Sequence, residues 1–171
     1  MEWLRGLSSR VIVLASGISG TKLVTSSGDT TVRIWDFTKG GCILTLAGHS
    51  CAAWDCSWHS CGDFVASASM DKTSKVWDLN SERCRYTLRG HKDSVNSIQF
   101  LPFSNIILTS SADKTLSLWD ARTVSFLYST SLCMLHMERI LRKLFLCHLS
   151  LAAVENCCRD LELVGTYSVW F

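Results

Sequence analysis

The feature that most constrains this chain of 171 residues is a Trp-Asp dipeptide that recurs at a constant interval. It occurs at Trp35-Asp36, Trp77-Asp78 and Trp119-Asp120, so successive copies are 42 residues apart (77 − 35 and 119 − 77). Gly48-His49 and Gly90-His91 repeat at the same interval. A fixed period of this length predicts an array of similar units, each of which buries its apolar face against the next.

Each of these tryptophans also follows a hydroxyl residue and an aspartate at fixed distances. The three sets are Thr25, Asp29 and Trp35; Ser67, Asp71 and Trp77; and Thr109, Asp113 and Trp119. His49 and His91 stand 22 residues before the aspartates of the second and third sets. The corresponding position of the first unit holds Leu7, so we expect the first unit to be incomplete or differently built.

Short β-prone runs separated by turn residues fill the intervals between these marks. The third unit contains runs at 95–100, 106–110 and 115–119, and a run such as 84–88 leads from a Trp-Asp towards the next Gly-His. Four antiparallel strands per repeat form one blade of a β-propeller. We therefore predict an all-β fold, a partial propeller of about two and a half four-stranded blades.

The predicted organisation has three segments. Residues 1–19 form an atypical N-terminal segment, and residues 20–123 hold the repeats, with units at about 20–47, 48–89 and 90–123. Residues 124–171 form a non-repeat tail, because a fourth Gly-His on schedule would fall on Leu132-Cys133. A helical stripe of Met134, Met137, Leu141, Leu144 and Phe145 is compatible with a short amphipathic helix, and a disordered tail is the other possibility. We favour an alternative terminus produced by splicing, and the alternatives are a segment that binds a partner or one that packs over an exposed blade edge.

Gly-His, a turn aspartate and Trp-Asp at this spacing define the WD-repeat family, which the sequence resembles over residues 20–123. The resemblance implies that Asp, His, the hydroxyl residue and the Trp indole form one hydrogen-bonded network. The complete sets would be His49, Ser67, Asp71 and Trp77, and His91, Thr109, Asp113 and Trp119. Ser, His and Asp together also suggest a hydrolase triad, but a device repeated in every blade favours a structural role, and we predict no catalytic site.

The resemblance is specific for the fold and much less so for the function, because one propeller scaffold hosts many unrelated activities. We predict a non-catalytic scaffold that binds other proteins through loops at the blade ends. The candidate binding residues are Ser50, Cys51, Ala52 and Met70 in one blade and Lys92, Asp93, Ser94 and Ala112 in the next.

Several segments are more specific than the general repeat. Residues 53–62, 71–78, 80–84, 91–98 and 111–117 resemble the sperm-associated WD-repeat antigens of the axonemal central apparatus. That resemblance implies axonemal or cytoskeletal partners and a structural role in motile cilia and sperm flagella, where such proteins support motility. The long N-terminal region and most of the propeller expected of such proteins are missing from the pattern. The alternative is therefore a truncated isoform that regulates or competes with the full-length scaffold.

Charge and hydropathy indicate neither a nucleic-acid nor a membrane partner. The 17 basic and 15 acidic residues are dispersed and give a net charge of +2. No stretch approaches the roughly 20 uncharged apolar residues of a membrane-spanning helix, and the apolar run at 11–15 is short for a signal peptide. We expect a cytoplasmic protein whose nine cysteines are reduced and mostly buried.

No cofactor or metal is predicted. The tail contains Cys133, His136, Cys147, His148, Cys157 and Cys158, but their spacing lacks the close ligand pairs of usual zinc sites. Closed propellers use roughly 4–8 blades. A shorter array leaves strand edges and apolar faces open, so we expect marginal stability and self-association through open blade edges.

Overall fold

The structure is a computed structural model that describes residues 11–16, 21–36 and 38–131. These residues form twelve β-strands. In chain order they are β1 (Val11–Ser16), β2 (Lys22–Ser27), β3 (Val32–Asp36), β4 (Gly41–Leu46), β5 (Ala53–Trp58), β6 (Phe64–Ser69), β7 (Thr73–Asp78), β8 (Arg83–Arg89), β9 (Val95–Phe100), β10 (Ile106–Ser111), β11 (Thr115–Asp120) and β12 (Ser125–Ser131). The prediction of an all-β fold is confirmed for the described residues.

The strands pair into three antiparallel sheets of four, β1–β4, β5–β8 and β9–β12, each with its strands in chain order. We call these sheets blades one, two and three. Strand β5 contacts β1 and β2 of blade one, and strand β9 contacts β5 and β6 of blade two. The blades therefore stack side by side as in part of a propeller, which confirms the predicted architecture.

Blades one and three each have one more strand than the predicted repeat segment, residues 20–123, contains. Strand β1 pairs with β2 through the register Val13↔Ser26 to Ser16↔Leu23, and β12 pairs with β11. Both join a sheet through backbone hydrogen bonds, which need no Trp-Asp or Gly-His landmark. The structure thus has three four-stranded blades instead of about two and a half.

The segment boundaries at residues 20 and 124 stay predictions. Strands β1 and β12 lie outside the repeat segment between these boundaries. Leu7, the proposed helix at 134–145 and the cysteines and histidines from residue 133 onward lie outside the described residues.

The core lies between the blades. Val24, Val32 and Ile34 of blade one pack with Val65 and Trp77 of blade two. A second cluster joins the two other blades, with the apolar residues Ala66, Ala68, Val76 and Leu88 of blade two against Val95, Ile98, Phe100, Ile107 and Trp119. Each blade therefore buries its face on its neighbour, as the repeat predicted.

Cysteine exposure differs from the prediction. The five described cysteines are free thiols, but Cys42, Cys61 and Cys84 are exposed and only Cys56 is buried. Cys42 and Cys84 lie on the outermost strands β4 and β8, which have no further strand beside them in their sheets. The prediction of mostly buried thiols is therefore wrong for these residues.

Candidate functional site

The histidine, serine, aspartate and tryptophan of blade two form one continuous buried network. Trp77 Nε1 donates to Ser67 Oγ at 2.8 Å, and His49 Nε2 lies 2.8 Å from the same hydroxyl. His49 Nδ1 lies 2.8 Å from Asp71 Oδ2. With the proton of His49 on Nδ1, every polar group has a partner: Ser67 donates to Nε2, and Nδ1 donates to the Asp71 carboxylate.

Blade three carries the same arrangement. Trp119 Nε1 donates to Thr109 Oγ1 at 2.9 Å, and His91 Nε2 lies 2.8 Å from that oxygen. His91 Nδ1 lies 3.0 Å from Asp113 Oδ2. The side chains of His49 and His91 are 0% and 3% exposed, so both networks are closed to solvent.

Blade one has a shortened version. Trp35 Nε1 donates to Thr25 Oγ1 at 3.0 Å. Asp29 accepts hydrogen bonds from the backbone and hydroxyl of Thr31 and from Arg33 Nη2, the last at 2.8 Å. In the other two blades the equivalent aspartate binds a histidine. In blade one, Arg33 supplies a cationic partner to the Asp29 carboxylate.

The network of blade two also sets the ionisation of its members. Burial lowers the pKa of His49, partly opposed by the hydrogen bond and charge of Asp71. Burial disfavours the charged form of Asp71, but hydrogen bonds from Thr73, His49 and the backbone of Ser50 outweigh it and lower the pKa to about 2. The network needs a neutral His49 with its proton on Nδ1 and an ionised Asp71, and these pKa shifts favour both states.

This geometry leaves Ser67 unable to act as a nucleophile. Its side chain is fully buried, and its oxygen accepts the hydrogen bond of Trp77 while its proton is directed to His49. A catalytic serine needs its oxygen open to a substrate carbonyl. The three residues of the apparent triad therefore hold the blade together.

Two further positions of each network were not predicted from the sequence. Thr73 and Thr115 donate to the Oδ1 atoms of Asp71 and Asp113, both at 2.6 Å. Ser69 Oγ donates to the carbonyl oxygen of Cys51 and accepts from the Asp71 backbone. Thr31, Thr73 and Thr115 share the 42-residue interval, as do Ser27, Ser69 and Ser111, so the same count could have found them.

The aspartates connect the networks to the candidate binding loops. The backbone N–H of Ser50 donates to Asp71 Oδ2 at 3.1 Å, and that of Lys92 donates to Asp113 Oδ2 at 2.8 Å. Each buried network therefore fixes the first residue of a loop at the blade surface.

The candidate loops meet in pairs at one end of the blades, which we call the loop end. Met70 N donates to Ala52 O at 2.9 Å, and Ala112 N donates to Ser94 O at 2.8 Å. Ser50, Met70, Lys92, Asp93 and Ala112 are exposed, and Cys51, Ala52 and Ser94 are half-buried. The structure thus brings all eight residues to the same end, at the β4–β5, β6–β7, β8–β9 and β10–β11 connections.

Among residues 11–16, 21–36 and 38–131, no three His, Cys, Asp or Glu side chains are close enough to hold a metal ion together. Over the same ranges, no helix has the length and hydropathy needed to cross a bilayer.

Stacked four-stranded blades with a buried Trp–hydroxyl–His–Asp network define a β-propeller repeat protein. The WD domain, G-beta repeat family matches the chain at residues 4–36, 40–78 and 82–120, which is more than half of its length. The chain therefore belongs to the WD40 family.

Individual known proteins are similar to this chain over only part of its length or of their own. The nuclear distribution protein PAC1 of Fusarium vanettenii is 54% identical over 33 residues, which is 19% of this chain and 7% of that protein. The structure of U3-55K and the crystal structure of the RRP9 WD40 repeats both have a TM-score of 0.73 and 20% sequence identity. Each match covers 77% of this chain but only 42% and 41% of the solved chains, respectively, and shows the fold alone.

Proposed function

We propose that this chain is a non-catalytic protein-interaction scaffold whose binding surface is the loop end. The observation that carries this proposal is the pairing of loops from both sides of each blade, through Met70 N to Ala52 O and Ala112 N to Ser94 O. The aspartates beneath hold the same loops in place. A surface that is ordered before binding loses less conformational entropy when a partner docks.

The chemistry of the loop end suits a protein partner. Met70 is 53% exposed, and a methionine adapts its shape to different apolar surfaces. Lys92 and Asp93 are exposed and place charges of both signs beside the small residues Ser50 and Ala112. A surface of this kind binds through shape and paired polar groups rather than through one dominant charge.

We further propose axonemal or cytoskeletal proteins as the partners, with a cytoplasmic location at the central apparatus of motile cilia or sperm flagella. This finer proposal is supported by the resemblance of residues 53–62, 71–78, 80–84, 91–98 and 111–117 to sperm-associated WD-repeat antigens. A role in assembly and motility of the axoneme follows from it.

A second candidate is a regulator that competes with a longer scaffold of the same kind. The observation that favours it is the stacking order, since blades one and three each contact blade two, with no comparable packing between them among the described strands. An unpaired blade face has the shape to accept another blade.

Site-specific photo-crosslinking in ciliated cells tests the proposed surface. A photoreactive residue replaces Met70 or Ala112 at the loop end, or Lys39, which is exposed in the β3–β4 turn at the other end, as the control. We expect discrete protein adducts from positions 70 and 112 and none of the same mass from position 39. Equal adducts at all three positions, or none, would contradict the proposal.

The same cells separate the finer proposals. A fluorescent tag on the full chain is expected to follow the axoneme, and a uniform cytoplasmic signal would contradict the axonemal role. Adducts that contain a longer WD40 chain, in place of other partners, would favour the regulator.

A further inference from the structure

A cavity of about 130 Å³ lies between blades two and three at the end opposite to the loop end. The side chains that form its apolar walls are Phe64, Val76, Tyr86, Phe100 and Ala121. A protein cavity of about 150 Å³ can hold a benzene molecule. The space therefore suits one ring-sized side chain.

Two arginines line the same cavity and give it a positive rim. The side chains of Arg85 and Arg122 are 46% and 55% exposed, so their charged groups reach solvent. The guanidinium of Arg85 stands 5.1 Å from the centre of the Phe64 ring and 5.3 Å from that of Tyr86. Cation–π contacts of this length hold the guanidinium at the entrance.

Neither arginine is saturated by its neighbouring aspartate. Arg85 Nη1 lies 3.8 Å from Asp78 Oδ2, and Arg122 Nε lies 3.6 Å from Asp120 Oδ1, both beyond hydrogen-bond range. The aspartates are held instead by their own turns, where Asp78 Oδ1 accepts from the Asn80 backbone and Asp120 Oδ1 from the Arg122 backbone. A guanidinium has five N–H donors, so both arginines retain donors for an incoming carboxylate.

The 42-residue repeat supplies an internal comparison for the charge. The positions that correspond to Arg85 and Arg122 between blades one and two are Ile43 and Asn80. The position that corresponds to Asn105, which also lines the cavity, is Asp63. The position that corresponds to Phe64 is Lys22, so the one–two junction has one lysine and the Asp63 carboxylate at these positions instead of two arginines. The pair of arginines therefore occurs at only one of the two junctions between the described blades, unlike the buried networks, which recur.

The same comparison explains the empty volume. Ala121 and Phe100 of the cavity correspond to Leu79 and Trp58 at the other junction. Leu79 and Trp58 pack against the core there and fill the equivalent place with larger side chains. The smaller side chains of Ala121 and Phe100 leave room for the cavity at the two–three junction.

We propose that this cavity is a second protein-binding site, which takes an aromatic side chain flanked by acidic residues on a linear segment of a partner. The aromatic ring fills the apolar cavity, and the carboxylates pair with Arg85 and Arg122 at its rim. Burial of the ring gives most of the affinity, and the two charges set the choice of segment.

Titration of the full chain into a labelled peptide tests the site, with fluorescence anisotropy as the measurement. The probe carries one phenylalanine with glutamates on both sides, and matched peptides carry lysine for glutamate or alanine for phenylalanine. We expect a dissociation constant on the order of 0.1–1 mM for the probe and binding weaker by about tenfold for either matched peptide.

The chain offers its own replacement residues for the variants. Arg85→Ile with Arg122→Asn removes the rim charges, and Ala121→Leu fills the cavity while keeping them. Each change introduces the residue that already stands at the corresponding position of the other junction. We expect each variant to weaken probe binding by about tenfold. Lys39→Asn in the exposed β3–β4 turn of blade one, which also removes a positive charge, should leave probe binding unchanged.

Circular dichroism of every variant first verifies that the blades are folded. Folded variants that bind the probe as well as the parent chain would overturn the proposal. Equal binding of the acidic and basic peptides, or no binding of the probe at about 2 mM, would overturn it as well.

Discussion

The hydroxyl of Ser67 connects the two halves of a buried network, because Trp77 and His49 both bond to it. Ser67→Ala would leave a buried indole N–H and a buried imidazole nitrogen without a partner. Each unpaired buried group costs about 1–3 kcal/mol. We expect the free energy of unfolding to fall by about 2–4 kcal/mol, measured by urea denaturation.

Ser74 provides a matched control in the same blade. Its side chain is 1% exposed, and its Oγ has no hydrogen-bond partner among the described residues. Ser74→Ala removes the same atom without breaking a bond, so stability should stay unchanged or rise slightly. An equal loss in both variants would mean that volume, and not the network, accounts for the effect of Ser67.

Acid should destabilise the protein through the same network. The pKa of His49 is lowered from 6.5 by burial, so below that pH the unfolded chain binds a proton that the folded chain does not bind, and stability falls. The pKa of Asp71 is lowered from 3.8 to about 2, and the stability that its charge contributes is lost as the pH falls through that interval. Two declines are therefore expected, below about pH 6.5 and below about pH 4.

The midpoint of urea unfolding between about pH 7 and pH 5 measures the first decline. His49→Gln should flatten this part of the profile, because glutamine does not titrate. A parent chain whose stability rises on acidification over this range would contradict the assignment of a neutral His49.

At the scale of elements, the Gly-His pair is explained by the tryptophan beside it. A Cβ added to Gly90 would lie 2.9 Å from Trp119 Cη2, closer than real contacts allow. Trp119 is buried and held by its bond to Thr109, so it cannot move away. We expect Gly90→Ala to lower the free energy of unfolding by about 1–3 kcal/mol. Gly28→Ala should change it little, because no atom of the described residues lies within 4 Å of the added Cβ. Thermal unfolding of both variants measures the difference.

The repeat spacing predicted most of the strands, and the family resemblance implied the members of both complete networks. Both succeeded because those residues contact partners inside one 42-residue unit. The spacing did not predict β12, where Ser125–Ser131 carries none of the marks and is held by backbone pairing with β11. The spacing also did not predict the β-bulge next to each of Trp35, Trp77 and Trp119, because a bulge depends on the register of two strands.

At the scale of the whole molecule, Asp55 joins two blades. Its Oδ2 accepts hydrogen bonds from Ser97 Oγ at 2.6 Å and from the backbone of Ile98 at 2.9 Å, so that β5 is bound to β9. Between blades one and two the corresponding position holds Val13, which has no carboxylate. The carboxylate link of Asp55 therefore has no counterpart at the corresponding position of the one–two junction.

Asp55→Ala should uncouple blade three from blade two. We expect blade three to exchange its amide hydrogens faster than blade two and the urea transition to broaden, because the units of an array unfold together only while their interfaces are strong. Asp63→Ala, at an exposed position, is the control. Uniform exchange in both blades of the Asp55 variant would contradict this role.

The cavity and the blade junctions depend on contacts between residues of different repeats, so they could not be predicted from the sequence. Asp55 contacts residues in the following repeat, and the cavity depends on the sizes of Ala121 and Phe100 together with charges from two blades. A single sequence shows period and residue type but not which two faces meet. The packing of one blade on another decides these features.

The buried networks also bear on how such chains change length during evolution. The network of blade two closes between His49 and Trp77, and that of blade three begins at His91. A gene duplication can have one breakpoint between Trp77 and His91 and the other one repeat period away. Such a duplication would copy a complete polar set and would leave no buried histidine or tryptophan without its partners. Whole repeats can thus be gained or lost without leaving a buried polar group unpaired, whereas a substitution inside a set deprives its buried neighbours of a partner.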